Sequence, residues 1–333
     1  PPPRQPLLVG LDDDTLKWTS RPLAVVRRQL ALGARAVRVW VPWHGEALPG
    51  AVRREELARA EQAAQRIRVV LAVFGFARAT PTTAAAQARF CGYARAVLAL
   101  VPDSRAVVVW NEANSRTYWQ GTPADYERLL ASCYDSLHAL DPGITVLDST
   151  ASGHAPAAFL QALGTAYRAS GRGAPLVDAF GHNPYPKTSE EQPLATHPPG
   201  FLGEGDYPRL VSALERAFGG TAQRSRNVWY LEDGFQSTAP QRIVARYHGR
   251  ENAPTVTPTV QAEHLRTAML MAACQPSVRA FFNFELVDER RLAGWQSGLY
   301  WSDSTPKPAA VAFAAAASLV RTGDVWCDSS TKP

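Results

Sequence analysis

Eight short apolar runs, each followed by a longer amphipathic stretch, are what most limits the folds open to this chain of 333 residues. They are PLLVGLD from Pro6, ARAVRVWVPW from Ala34, IRVVLAVFGF from Ile67 and AVVVWNEAN from Ala106. ITVLDST from Ile144, VDAFGHNPYP from Val177, NVWYLEDGF from Asn227 and VRAFFNFEL from Val278 follow. Each is rich in β-branched and aromatic residues and alternates little, the pattern of strands covered on both faces of a parallel sheet. The intervening stretches carry helix-start signals. Thr122-Pro123, Thr257-Pro258 and Thr305-Pro306 each set a capping hydroxyl before a proline suited to the first helical position, and Asp141-Pro142-Gly143 stops a helix before the fifth run. Eight strands alternating with eight helices predict an α/β fold, a (β/α)8 TIM barrel. A doubly wound open sheet would carry a glycine-rich phosphate turn after its first strand, and LVGLDDDT has no G-x-G-x-x-G.

No shift of composition marks a second domain. The expectation is one catalytic domain over 1–333, with a proline-rich lead-in at 1–6, a C-terminal tail at 324–333, and long polar loops near 187–206 and 236–258 over one barrel end. The hydrophobic share of 46% supplies a core, and no run approaches the roughly 18 apolar residues of a membrane span, so membrane insertion is not expected. A net charge of +5 is carried by scattered arginines and only four lysines, with no basic block and no nucleic-acid motif, so no nucleic-acid partner is expected. Export is expected, although PPPRQP itself has no signal-peptide character. Cys91 and Cys133 fall midway along successive predicted helices, and Cys274 and Cys327 lie near the C-terminus. Two disulfides would suit an exported protein; buried free thiols are the plainer reading of each pair. Oligomeric state is left open.

In such a barrel, chemistry collects at the C-terminal strand ends. The first run ends in Asp12, Asp13 and Asp14; the second contains Arg38 and ends with Trp40, Trp43 and His44. The fourth ends Trp110-Asn111-Glu112-Ala113-Asn114, the sixth Gly181-His182-Asn183-Pro184-Tyr185, the seventh Glu232-Asp233-Gly234, and the eighth offers Glu285, Asp288 and Glu289. One acid at the end of an apolar strand is readily explained by a salt bridge at the rim. Two glutamates on strands facing one mouth match what glycoside hydrolysis needs: one carboxyl protonated near neutral pH, the other ionised.

The flanking residues resemble the clan A glycoside hydrolases. Within that clan VVVWNEAN, YWQGTPADYERLL, ALDPGITV, NPYP, LEDGFQS and ELVDERRLAGWQSGLYWSDSTPKPA resemble family 39 and its bacterial relatives, in the right order over nearly the whole chain. The resemblance implies a retaining O-glycosidase acting on oligosaccharides, polysaccharides or glycoconjugates. Glu112 would be the acid/base, Glu232 the nucleophile, and Asn111 the partner of the sugar 2-hydroxyl. Arg38 would oppose the nucleophile's charge, and Tyr185 would reach toward it. The chain departs from the family at Ala113, usually proline; at Asn183, often histidine, for which the adjacent His182 could serve; at Asp233, often aromatic; and at Phe282-Asn283-Phe284, often containing tryptophan.

Trp43, Trp119 and Trp295, with Trp40 and Trp301, are candidates to stack on sugar rings or to pack the loops, whereas Trp110 reads as core. Asp288 and Glu289 could bind sugar hydroxyls or pair with Arg290 and Arg291. Arg242, Arg246, His248 and Arg250 suggest a lid, an acidic substrate or a solvated loop. Neither metal nor cofactor is expected. No H-x-H or H-E-x-x-H occurs, no lysine lies on a predicted strand for Schiff-base chemistry, and there is no G-x-S-x-G elbow. A transglycosylase would use the same glutamates, and a non-catalytic glycan-binding barrel would break the pair. The sugar, its linkage, and exo or endo action stay open.

Overall fold

The structure, a computed structural model, describes residues 7–327; the lead-in 1–6 and residues 328–333 of the expected tail lie outside the described residues. Nine strands form one parallel sheet: β1 (Leu8–Asp12), β2 (Ala36–Pro42), β3 (Arg68–Phe74), β4 (Ala106–Val109), β5 (Thr145–Leu147), β6 (Thr150–Ala151), β7 (Phe180–Asn183), β8 (Val228–Asp233) and β9 (Val278–Phe284). Their order is β5-β4-β3-β2-β1-β9-β8-β7-β6. The sheet curls, because its two terminal strands, β5 and β6, are successive pieces of the fifth apolar run. Asp148 and Ser149 interrupt that run; a parallel bridge Leu147–Ala179 and a bond from Asp178 N to Val146 O (2.8 Å) bring the two edges together. Eight expected strands therefore appear as nine segments of a TIM-barrel-like fold.

Helices follow the strands: α1 (Thr15–Trp18), α2 (Pro22–Ala31), α3 (Ala51–Ala64), α4 (Ala84–Leu100), α5 (Pro123–Leu140), α6 (Pro156–Ala169), α7 (Tyr207–Phe218), α8 (Pro258–Cys274) and α9 (Pro308–Thr322). The strands are covered on both sides, as their composition predicts. Val37, Val39 and Val41 of β2, and Val69, Val70, Leu71 and Val73 of β3, are wholly buried, each such side chain contributing about 1.5–3 kcal/mol of transfer free energy. Gly164 lets α6 meet α7, since a Cβ there would collide with the Ala217 backbone. No helix among the described residues is long and apolar enough to cross a membrane.

Two of the three expected caps form. Thr122 and Asp125 make a reciprocal capping box at α5, and Thr257 accepts from Val260 N at α8. The third differs: α9 starts two residues later, with Pro308 at its first position, and Thr305 bonds Asp303 instead. Lys307 decides this. Its ammonium is wholly buried against Asp288 (2.6 Å), Gln296 O and Ser237 Oγ, and unpairing such a group is costly, so the turn before α9 is set by that anchor. Asp288 thus pairs with Lys307 rather than with Arg290, Arg291 or a sugar.

The cysteines correct the plainer reading. Cys91–Cys133 ties α4 to α5 and Cys274–Cys327 ties the end of α8 to the segment after α9, with Cα separations of 4.9 and 5.5 Å. Closing loops of 42 and 53 residues removes about 4 kcal/mol of unfolded-state entropy each on a chain-entropy count. Thiol titration of denatured, unreduced protein should therefore detect no reactive thiol. Cys91→Ala with Cys133→Ala should lower the unfolding free energy by about 2–4 kcal/mol in urea titrations; no change would contradict a formed bridge.

Candidate active site

Arg38 lies at the centre of the strand ends, wholly buried on β2. Its Nη1 donates to Asp12 Oδ2 (2.5 Å) and Glu232 Oε1 (2.6 Å), and its Nη2 donates to Asn111 Oδ1 (2.8 Å). The two carboxylates push its pKa upward despite burial. β8 brings Glu232 into the interior, where the Tyr185 hydroxyl donates to its second oxygen, Oε2, at 3.3 Å. Burial, then the Glu232 charge, raise Tyr185 well above the usual phenol range, which keeps it a donor.

Glu112 is presented differently. Beyond β4 the chain turns through Trp110 at φ +70° and Glu112 at φ +41°, left-handed conformations that cost non-glycine residues energy and persist where the surroundings hold them. Trp110 is held by packing on Phe90 and Trp119 and by a bond from its Nε1 to Tyr118 O (3.0 Å). Ser149, in the gap between β5 and β6, receives Glu112 N on its hydroxyl (3.3 Å) and Ala113 N on its carbonyl (3.0 Å). The Glu112 carboxyl accepts from Asn183 Nδ2 at 2.9 Å. Burial, reinforced by the Glu232 charge, raises its pKa to about 7, against the opposing pull of Asn183 and Arg38. One carboxylate is therefore paired with a guanidinium, while the other rests on a neutral amide and holds its proton to neutrality.

Arg38, Asn111, Glu112, Asn183, Tyr185 and Glu232 thus meet as the sequence leads one to expect. The Asn111 amide faces the Tyr118 hydroxyl, and its Nδ2 is closed off from solvent. A cavity of about 300 Å³ adjoins the group, walled by Trp18, Trp40, Tyr118, Phe284 and Trp295, with Asp12, Asp13, Asp14, Glu285 and Glu289 on its polar side. Trp295 sits there as expected, its ring 5.2 Å from Tyr185 and 5.3 Å from Phe284.

Three expected binding residues are elsewhere. His182 turns to the other face of β7, its ring between Thr150 Oγ1 (2.9 Å) and Leu202 O (2.8 Å). Burial lowers its pKa to about 4, so it is a neutral structural group. Successive strand residues point to opposite faces, which puts Asn183, not His182, beside Glu112. Trp43 and Trp119 are core: Trp43 bonds Glu46 O and packs on Phe90 and Trp110, and Trp119 packs on Trp110 and Tyr126. Trp301 is likewise buried, beneath the Lys307 ammonium. Arg242, Arg246, His248 and Arg250 are exposed and contribute nothing to the cavity wall. Ala113 and Asp233 are buried away from the cavity.

Phe284, from the strand-eight segment that departs from the family pattern, does line the cavity, whereas no role is read from the sequence for Tyr118 or Trp18. Tyr118 follows the acid by six residues on a loop, with no local pattern to separate it from a packing residue. Trp18 was findable as a large aromatic just beyond the first strand's acids. Among the described residues no group of three or more His, Cys, Asp or Glu side chains is placed to hold a metal ion.

No family model matches the chain, and neither does any curated protein. Solved structures do. A family 39 glycoside hydrolase from the gut symbiont Bacteroides cellulosilyticus WH2 superposes with a TM-score of 0.68 at 20% identity, over 95% of this chain and 64% of the other. This chain therefore spans less than two thirds of that structure's length. A family 5, subfamily 18 glycoside hydrolase from Streptomyces cattleya in complex with Manβ1-4GlcNAc gives 0.66 at 18% identity, over 95% and 81%. A family 128 endo-β-1,3-glucanase from Amycolatopsis mediterranei gives 0.51 at 16% identity, over 88% and 94%. The TIM-barrel-like fold of this chain is thus shared with solved glycoside hydrolases, in keeping with the clan A resemblance.

Beside Glu232, Asp233 points away from the cavity toward Glu204. Burial raises Asp233 to about 8, and burial with the Asp233 charge raises Glu204 well above the carboxylate range. Asp148, buried beneath the β5–β6 gap, is raised to about 7. These groups bind protons in the folded chain that the unfolded chain releases, so their contribution to stability is fully present below the ordinary carboxylate range and is lost as pH rises toward 8. Urea unfolding at pH 5, 7 and 9 should show this decline. Asp233→Asn should flatten its upper part; an unchanged slope in the variant would refute the assignment.

Proposed function

We propose that the protein is a retaining glycoside hydrolase on a single (β/α)8 barrel, with Glu232 as nucleophile and Glu112 as acid/base. The observation that carries this reading is the contrast between the two carboxyls: Glu232 held by Arg38 and Tyr185, Glu112 held by Asn183 and raised to about 7. Opposite demands on two neighbouring acids are what double displacement makes. The fold shared with solved glycoside hydrolases supports the same class, as does an aromatic-walled cavity beside the pair. Two disulfides support export.

In the first step a Glu232 oxygen bonds to the anomeric carbon, the bond to the glycosidic oxygen breaks, and Glu112 gives its proton to the departing oxygen. In the second, Glu112 takes a proton from water, the water oxygen attacks the same carbon, and Glu232 is released. Tyr185 and Arg38 orient the nucleophile, and Asn111, held beside the pair by Arg38, is the residue that meets the sugar 2-hydroxyl in a bond that strengthens in the transition state.

Glu232→Gln should abolish turnover. Glu112→Ala should lose about 10²–10⁴-fold on substrates with poor leaving groups, yet far less on activated aryl glycosides. Equal losses on both substrate types in the two folded variants would reverse or remove these roles. The rate with a poor leaving group should fall as pH rises through about 7, where Glu112 loses its proton. Proton NMR should find the first-released sugar with retained anomeric configuration; initial inversion would exclude the covalent intermediate.

A further inference from the structure

The cavity beside the carboxylate pair is unusually one-sided in charge. Five of its lining residues, Asp12, Asp13, Asp14, Glu285 and Glu289, are acids, and among the described residues lining it none is Lys, Arg or His. The cations that face these acids are Arg38, committed to Asp12 and Glu232, Lys17, committed to Asp14 at 2.8 Å, Lys307, whose charge reaches Glu285 but which pairs with Asp288 at 2.6 Å, and Arg291, whose charge acts on Glu289. Asp13 meets neutral donors, Thr15 Oγ1 (2.8 Å), Gln29 Nε2 (3.3 Å) and the backbone amides of Thr15 and Leu286. Glu285 lines the cavity with its Oε1 buried and without a hydrogen-bond partner. Desolvation raises both acids, and the charge of Asp13 adds to the rise at Glu285. Around them stand the indoles of Trp18, Trp40 and Trp295. Paired carboxyls with aromatic faces at a partly desolvated site are the setting in which an organic cation is held, through charge-assisted hydrogen bonds and ring quadrupoles.

We propose that Asp13 and Glu285 select a sugar bearing a protonated amine, a hexosamine without its acetyl group, over neutral, N-acetylated or acidic sugars. This rests on the glycosidase reading for the sugar and on the cavity's own charge for the amine. An ammonium brings three donors and one positive charge, relieving the mutual repulsion of the acids. An acetyl group removes that charge, and a uronate adds another negative one to the same wall.

The test is calorimetric binding of glucosamine, galactosamine and mannosamine, each against its N-acetyl form, the matching neutral hexose and the matching uronate. At least one amine should bind tenfold or more tightly than its three counterparts, with the preference shrinking in 1 M salt. Glu285→Gln and Asp13→Asn should each remove about tenfold of it. Cooperative melting reports whether each variant folds, and the salt dependence of the wild type needs no variant. Equal binding of amine and neutral sugar, a salt-independent preference, or a preference intact in both folded variants would overturn the proposal. Aryl glycosides of the same sugars separate the two readings. Amine binding without cleavage of any glycoside would sink the hydrolase and leave the ammonium site standing; cleavage of neutral glycosides without amine binding would do the reverse.

Discussion

A wholly buried guanidinium, Arg38, is the group on which the site depends. It joins three strands: its own β2, β1 through Asp12, and β8 through Glu232, while its remaining amino group orients Asn111 after β4. A buried ion pair contributes little net stability once desolvation is counted, but removing one member strands the others at a cost of about 3–5 kcal/mol. The arrangement is better understood as a specification of position and charge. Asp12 and Glu232 share one cation, so Glu232 is held where a carboxylate would otherwise be expelled from an apolar interior.

The other half of the site is built from strain and neutral contacts. The left-handed residues Trp110 and Glu112 carry the chain off β4, and the aromatic cluster of Phe90, Trp43 and Trp119 holds that turn in place. Tryptophans that look like sugar platforms in the sequence thus support the Glu112 turn from behind. Asn183 contacts Glu112 with an uncharged donor. A neutral amide lowers a carboxyl's pKa less than an imidazolium would, which leaves burial and Glu232 free to keep Glu112 protonated.

Most of the architecture was legible because it rests on local pattern. Buried parallel strands read as unbroken apolar runs, and the Thr122 and Thr257 caps are read from adjacent residues. The breaks in legibility have physical causes. The fifth strand divides because Asp148 turns inward to receive Gly181 N, a contact between residues 33 apart. The Thr305 cap yields to Lys307, whose ion pair with Asp288 is likewise non-local.

The sequence by itself determined the strand–helix alternation, the placing of Glu112 and Glu232 at strand ends and of Arg38 within the second strand, and the chemistry those residue types allow, since each follows from composition over a few neighbouring positions. Only the tertiary structure decided which partners they meet. It chose Asn183 over His182, Trp295 over Trp43 and Trp119, disulfides over free thiols, and an acidic cavity over the basic surface loop. These choices depend on which face of a strand or helix turns inward and on contacts across long stretches of chain, 194 residues for Arg38 and Glu232. Residue type alone carries no record of either.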